Sequence, residues 1–221
     1  MGTSGALIET LVVRDLGLCA YTPIWREMQR FTAERTEDSV DELWLLEHES
    51  VFTQGQAGKS EHLLAPGEIA VVQSDRGGQV TYHGPGQLVA YLLLDLKRKS
   101  IGVRALVRGV QTSIIALLND HGIQGRSRPD APGVYVEGAK VASVGFRIRR
   151  GASFHGLALN VDMDLEPFSR INPCGLPGLP VSQLRDLGGP GDVASVKQPL
   201  ANILAKTFGY ATLMWTVEPV T

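Results

Sequence analysis

Covalent chemistry in this chain has one well-placed nucleophile to start from. Cys174 lies in Asn172-Pro173-Cys174-Gly175, a turn rather than a periodic apolar face. The proline fixes the turn, and the glycine clears space and leaves an amide pointing outward. That setting suits an exposed thiol, although Pro-Cys-Gly turns also occur for shape alone. Cys19, by contrast, sits in the first apolar run, where a small hydrophobe is expected. A free thiol with a pKa of ~8.5 is only a few per cent thiolate at neutral pH, and a nearby cation raises that fraction. His83, His155 and Lys140 could each supply the charge. Lys140 follows Gly138-Ala139 in a tight turn; read alone, it is equally an ordinary solvated hairpin lysine.

The second chemical feature is the stretch Arg76-Gly77-Gly78-Gln79-Val80-Thr81-Tyr82-His83-Gly84-Pro85-Gly86-Gln87, followed by the apolar run Leu88–Leu96. Glycine lets a ligand approach the main chain closely, so the stretch reads as a binding loop joining two strands of a sheet. A phosphate cradle does not fit, because the loop lacks a Gly-Lys-Ser/Thr ending and runs into a strand rather than a helix. A metal site drawn from His48, His62, His83, His121 and His155 does not fit either, since no two share a ligand spacing.

The elements that must position these groups follow from pattern. Leu11–Leu18 reads as a strand, and a helix runs from Thr22-Pro23 to about Arg35 with Ile24, Met28 and Phe31 on one face. Leu43–Leu46 and Ile69–Gln73 are short strands, with Val51–Lys59 a loop between them. Leu88–Leu96, apolar on both faces, is a central strand. Helical spacing from Val103 to Leu118 ends at Gly122. Gly133–Glu137, Val141–Arg149 and Phe154–Val161 form an antiparallel meander. Ser182–Leu187 is a helical turn, Asp192–Phe208 a helix whose start Pro199 complicates, and Thr212–Val217 a closing strand. The fold class is α/β (α+β), a single domain over residues 1–221 with a mixed sheet flanked by helices.

Bulk properties are consistent with this. The 221 residues are 43% hydrophobic and 20% charged, with 25 Gly and 12 Pro, a globular composition. A net charge of -2 gives no global field for nucleic acid. No secretory signal or membrane span is evident, so a cytoplasmic protein is expected. The two cysteines are far apart and suggest neither a disulfide framework nor a zinc knuckle.

Taken together, the motifs resemble a known family. The pattern Arg76-Gly77-Gly78 to Thr81-Tyr82-His83-Gly84-Pro85-Gly86-Gln87 and Tyr91 is similar to the signature of the octanoyltransferases of lipoate biosynthesis. Gly138-Ala139-Lys140-Val141-Ala142-Ser143-Val144-Gly145, then His155-Gly156-Leu157-Ala158-Leu159-Asn160, then Asn172-Pro173-Cys174-Gly175 follow that family's order. The resemblance spans roughly residues 10–210; Phe146 and Ser153 depart from the pattern in ways that bear on packing. It implies the catalytic fold of biotin and lipoate protein ligases, working without metal or nucleotide cofactor. It also implies an acyl-enzyme mechanism: Cys174 takes an octanoyl group from octanoyl-acyl carrier protein and yields it to a lysine of a lipoyl domain. Lipoyl domains of 2-oxoacid dehydrogenase E2 subunits and the glycine cleavage H protein are the implied acceptors.

Lys140 matches the lysine that the family pairs with the cysteine. The family's substrate-binding segments match Arg76, Gly77, Gly78, Gln79, Val80, Thr81, Tyr82 and His83, then Ser143, Val144 and Gly145, then Gly156, Leu157 and Ala158. His83 is expected to orient the reacting groups, and amides at Gly77-Gly78 or Val144-Gly145 to stabilise an oxyanion. Small residues on two strands suit a slot for an eight-carbon chain, although close strand packing explains Gly145 as well. Arg147 and Arg149, with Arg126, Arg128 and Arg150 nearby, form either a carrier-docking patch or an ordinary charged edge. Two other readings remain open: an ATP-dependent lipoate or biotin ligase that would not need Cys174, and a non-catalytic carrier-binding module.

Overall fold

A computed structural model describes residues 9–129 and 131–216; residue 217, the end of the expected closing strand, lies outside them. The elements run β1 (Thr10–Cys19), α1 (Tyr21–Glu34), β2 (Asp41–His48), β3 (Val51–Gln54), β4 (Ala70–Gln73), β5 (Val80–His83), β6 (Gln87–Leu93) and α2 (Val103–Asp120). They continue as β7 (Arg126–Ser127), β8 (Gly133–Val136), β9 (Ala139–Arg149), β10 (Ala152–Asn160), α3 (Val193–Thr207) and β11 (Thr212–Thr216). An eight-stranded mixed sheet has the order β11-β1-β2-β6-β10-β9-β8-β7. β1 is parallel to both β2 and β11; β8, β9 and β10 form the expected antiparallel meander, and β6 adds to it antiparallel to β10.

Every residue of β6 is buried, as a strand apolar on both faces requires. Its alternate side chains enter two cores. Leu88, Ala90 and Leu92 pack with α2 and α3 through Leu106, Val110, Leu200 and Leu204. Val89, Tyr91 and Leu93 pack on the other face with Ile24 and Met28 of α1, Trp44 and Phe154.

The region around the glycine loop differs from the sequence expectation. Val51–Gln54 is a strand, and so is Val80–His83; with β4 they make a separate three-stranded sheet, β4-β3-β5. The loop therefore shrinks to residues 74–79 and joins two strands of the small sheet instead of two strands of the main one. Flanking glycines masked a short period-two pattern in which Val80 and Tyr82 enter a third core with Phe52, Met163 and Phe168. In α3, Asp192 caps the first turn by accepting from the Ser195 amide at 2.7 Å, so the helix starts at Val193 and holds Pro199 in its interior. The turn expected at Ser182–Leu187 is a 3-10 turn at Arg185–Leu187.

Where β2 begins, a buried ionic knot ties the ends of several elements. Arg35 and Arg98 both ion-pair with Asp41, which is fully buried. The same carboxylate accepts from the Tyr210 hydroxyl at 2.7 Å and the Asp95 amide at 2.8 Å.

Candidate active site

Lys140 and Cys174, 34 residues apart in sequence, meet in the fold: the lysine Nζ donates to Cys174 Sγ at 2.7 Å. Main-chain bonds at both ends of the Cys174 segment explain the meeting. At one end the Asn172 amide donates to the His62 carbonyl at 2.9 Å. At the other, the Lys140 amide donates to the Pro180 carbonyl at 2.8 Å and the Lys140 carbonyl accepts from the Ser182 amide at 3.0 Å. Between them, Cys174 itself adopts a left-handed backbone (φ 58°, ψ 16°), followed by Gly175 at φ 72°. A non-glycine residue in that region stores on the order of 1–3 kcal/mol and persists only where its surroundings hold it. Space beside it is tight: a Cβ on Gly175 would lie 3.1 Å from His62 Nε2 and 3.5 Å from Gln79 Cγ.

The lysine is buried, at 4% exposure, and is not a solvated hairpin residue. Its room is made by Gly133, where a Cβ would meet Lys140 Cε at 2.8 Å, Nζ at 3.3 Å and the Ala142 carbonyl oxygen at 2.5 Å. The Tyr135 ring centroid lies 5.8 Å from the amine, within cation–π range.

The dyad opens on a cavity of about 210 Å³. Every residue expected to bind substrate lines it except Tyr82, whose ring packs on Phe52 and Phe168 and whose hydroxyl pairs with Ser50 Oγ at 3.0 Å. Strand alternation sends Tyr82 to the opposite face from Thr81 and His83. The small residues answer to packing as well as to the slot. A Cβ on Gly156 would lie 2.0 Å from the Ala90 carbonyl oxygen, and one on Gly145 2.9 Å from that of Gly77. Of the expected oxyanion donors, the Gly77 amide is already committed to the Phe146 carbonyl at 3.0 Å. The loop thereby closes onto the part of β9 that extends beyond β8.

Residues 20–205 match the family described as the lipoyl protein ligase A/B catalytic domain. An octanoyltransferase from Stutzerimonas stutzeri (strain A1501) is 64% identical over 90% of this chain and 91% of its own length. The chain belongs to this octanoyltransferase family. It is an acyltransferase. Fold similarity extends further than sequence similarity. The bipartite lipoate protein ligase of Thermoplasma acidophilum, from a structural study that includes its E2 lipoyl domain, superposes with a TM-score of 0.75 at 14% identity, covering 96% of this chain and 88% of that one. Biotin protein ligase from Aquifex aeolicus gives a TM-score of 0.51 at 11% identity, covering 90% and 68%.

Aromatic and polar side chains at the cavity and directly behind its lining are tied to one another by hydrogen bonds. The His48 Nδ1–H donates to the Cys19 carbonyl at 2.9 Å, so its Nε2 accepts from the Tyr91 hydroxyl at 2.7 Å. Burial pushes His48 down to about 4 and Tyr21 up to about 12. His83 donates from Nδ1 to Gln87 Oε1 at 2.7 Å and is held well below the usual histidine range by burial; its hydrogen bonds go to Gln87 and Thr53 rather than to the dyad. Burial opposes the charge on Asp75, but hydrogen bonds from His155, Gln29 and Trp25 outweigh it and hold the carboxyl at about 2. The ionised carboxylate only accepts, so His155 donates to it from Nε2 at 2.8 Å. Burial lowers His155 despite this partner, leaving a neutral ring. Arg76 spends its guanidinium inside the fold, on Thr53 Oγ1 at 3.0 Å and the Gly77 carbonyl at 2.9 Å.

Sequence reading missed several lining residues: Tyr21, Val89, Pro132, and the Val103 and Val107 pair at the start of α2. Val103 was readable as part of the helix's apolar face; its 46% exposure shows that the stripe overruns the core and ends at the cavity. Among the described residues, no three His, Cys, Asp or Glu side chains are grouped to hold a metal ion. Arg147 is half-buried and donates to Gln56 Oε1 at 2.8 Å, while Arg149 is exposed.

Proposed function

We propose that the enzyme moves an octanoyl (or lipoyl) group from acyl carrier protein to a lysine of a lipoyl domain through a thioester on Cys174, with Lys140 as acid and base. The contact between Lys140 Nζ and Cys174 Sγ at the cavity carries this reading. The thiolate, paired with the lysine ammonium, attacks the acyl carbonyl of the donor thioester. The carbon–sulfur bond to the donor breaks as Lys140 gives its proton to the departing thiol. The acceptor amine then attacks the Cys174 thioester and Lys140, now neutral, takes one proton from it. The sulfur leaves as thiolate, which restores the thiolate–ammonium pair and balances the protons over the turnover. The Thermoplasma lipoate ligase studied with its E2 lipoyl domain supports a lipoyl-domain acceptor; the glycine cleavage H protein is a second acceptor that the family resemblance implies.

Incubation with octanoyl-acyl carrier protein, without nucleotide, is expected to add one octanoyl mass to Cys174. The Cys174→Ser variant should gain none and lose nearly all turnover. Transfer that proceeds without the adduct, or only with ATP and free octanoate, would sink the mechanism.

A further inference from the structure

Two paired strands, β9 and β10, supply consecutive lining residues, Ser143 to Phe146 opposite Ala158 to His155, so the cavity is a slot running along the strands. The dyad fixes one end. Lys140 reaches across Gly133, the ladder partner of Ser143, which places the amine and the sulfur bonded to it level with Ser143. Three residues further along β9, Phe146 pairs with His155.

His155 faces the slot for an unusual reason. Regular alternation would send it to the side of Leu157 and Leu159, in the core under α2 and α3. Its φ of 60° turns the ring to the opposite face instead, stacked on Phe154 at 5.0 Å and edge-on to Tyr91 at 5.9 Å. Asp75 pins it there at 2.8 Å, and Trp25 and Gln29 pin Asp75 from α1. Two elements and a strained backbone are thus used to hold one ring across the slot.

We propose that His155 is the end wall of the acyl slot and sets its length at eight carbons. Three strand residues cover about 10 Å. An extended octanoyl chain, with carbon–carbon bonds of about 1.5 Å in zigzag, spans about 9 Å from carbonyl to methyl. Two more methylenes need about 2.5 Å that the ring occupies. This inference rests on the acyl-enzyme reading above.

The test measures loading of Cys174 by mass spectrometry with hexanoyl-, octanoyl-, decanoyl- and dodecanoyl-acyl carrier protein. The intact enzyme should favour octanoyl over decanoyl; equal rates overturn the proposal. His155→Gly, which accepts the left-handed backbone, should raise the decanoyl-to-octanoyl ratio at least about tenfold. His155→Trp should move the preference to hexanoyl and covers the case in which the glycine variant does not fold. A folded variant of either kind with the native profile overturns the wall. No adduct with any chain length, in any form of the enzyme, would instead overturn the acyl-enzyme reading.

Discussion

Gly133→Ala tests the space at the dyad, together with the backbone strain of a side chain at φ 155°. The added Cβ would sit 2.5 Å from the Ala142 carbonyl oxygen, a main-chain atom of the paired strand that cannot swing aside, and 2.8 Å from Lys140 Cε. Ordinary carbon–oxygen contacts begin near ~3.3 Å. The strand and the lysine stem must therefore both yield by several tenths of an ångström. Overpacking of this kind costs about 1–3 kcal/mol. Either shift disturbs the Lys140 Nζ–Cys174 Sγ contact, now 2.7 Å. A misplacement of about 1 Å at reacting groups costs on the order of 100-fold in rate. The expected result is a folded, moderately destabilised enzyme that loads octanoyl about two orders of magnitude more slowly. Gly138→Ala is the control: its φ is 88° and nothing lies within 4 Å of the new carbon. It should lose about 1–2 kcal/mol of stability to backbone strain while loading at the native rate. Urea denaturation and loading rates measured on both variants decide the matter. Native loading by a folded Gly133→Ala enzyme would refute the view that the lysine's position depends on this gap.

Asp41→Asn leaves Arg35 and Arg98 buried without their shared counter-charge. Breaking a buried pair from one side costs about 3–5 kcal/mol, which for a chain of this size lowers the melting temperature on the order of 10 °C; scanning calorimetry checks this, and loading per folded molecule should not change. Asp75 gives a pH-dependent effect. Its carboxyl is held at about 2 in the fold, below its ordinary value, so its contribution is fully present above about pH 4 and is lost as the pH falls through 2. A shift of this size corresponds to about 2 kcal/mol, reduced to about 1 by solvent at a side chain that is 28% exposed. Asp75→Asn should thus be about 1 kcal/mol less stable at pH 7, with the difference shrinking in urea melts between pH 4 and 2; a constant difference over that range would contradict the assignment.

How much of this was legible depends on the range of the interactions involved. The meander, the central strand and the helix over Val103–Asp120 were readable because each buries a face whose period is written in neighbouring residues. The small sheet was not, because β3, β4 and β5 have four residues each. So short a run carries barely two turns of the pleat, and the glycines around it read as loop. Backbone conformation at Cys174 and His155 was illegible for another reason. Left-handed torsions at a cysteine and a histidine are unfavourable locally, so no propensity announces them; main-chain bonds to His62 and Lys140 tie the ends of the Cys174 segment, and Asp75 holds the His155 ring, all from far along the chain.

The dyad shows how that distant control works. Lys140 is usually counted by its amine, but its main chain also bonds Pro180 and Ser182, anchoring the C-terminal end of the segment that carries Cys174. One residue thus supplies both the amine that contacts Cys174 Sγ and an attachment point for the segment that carries it. A side-chain substitution at 140 removes the first role and leaves the second. Cys174 should therefore keep its left-handed turn in Lys140→Met while losing its ammonium partner. Shortening the 162–179 segment should do the reverse, moving the sulfur while the amine stays in its niche over Gly133. A crystal structure of Lys140→Met with Cys174 displaced would show that the side chain, and not the main-chain pairing, holds the turn.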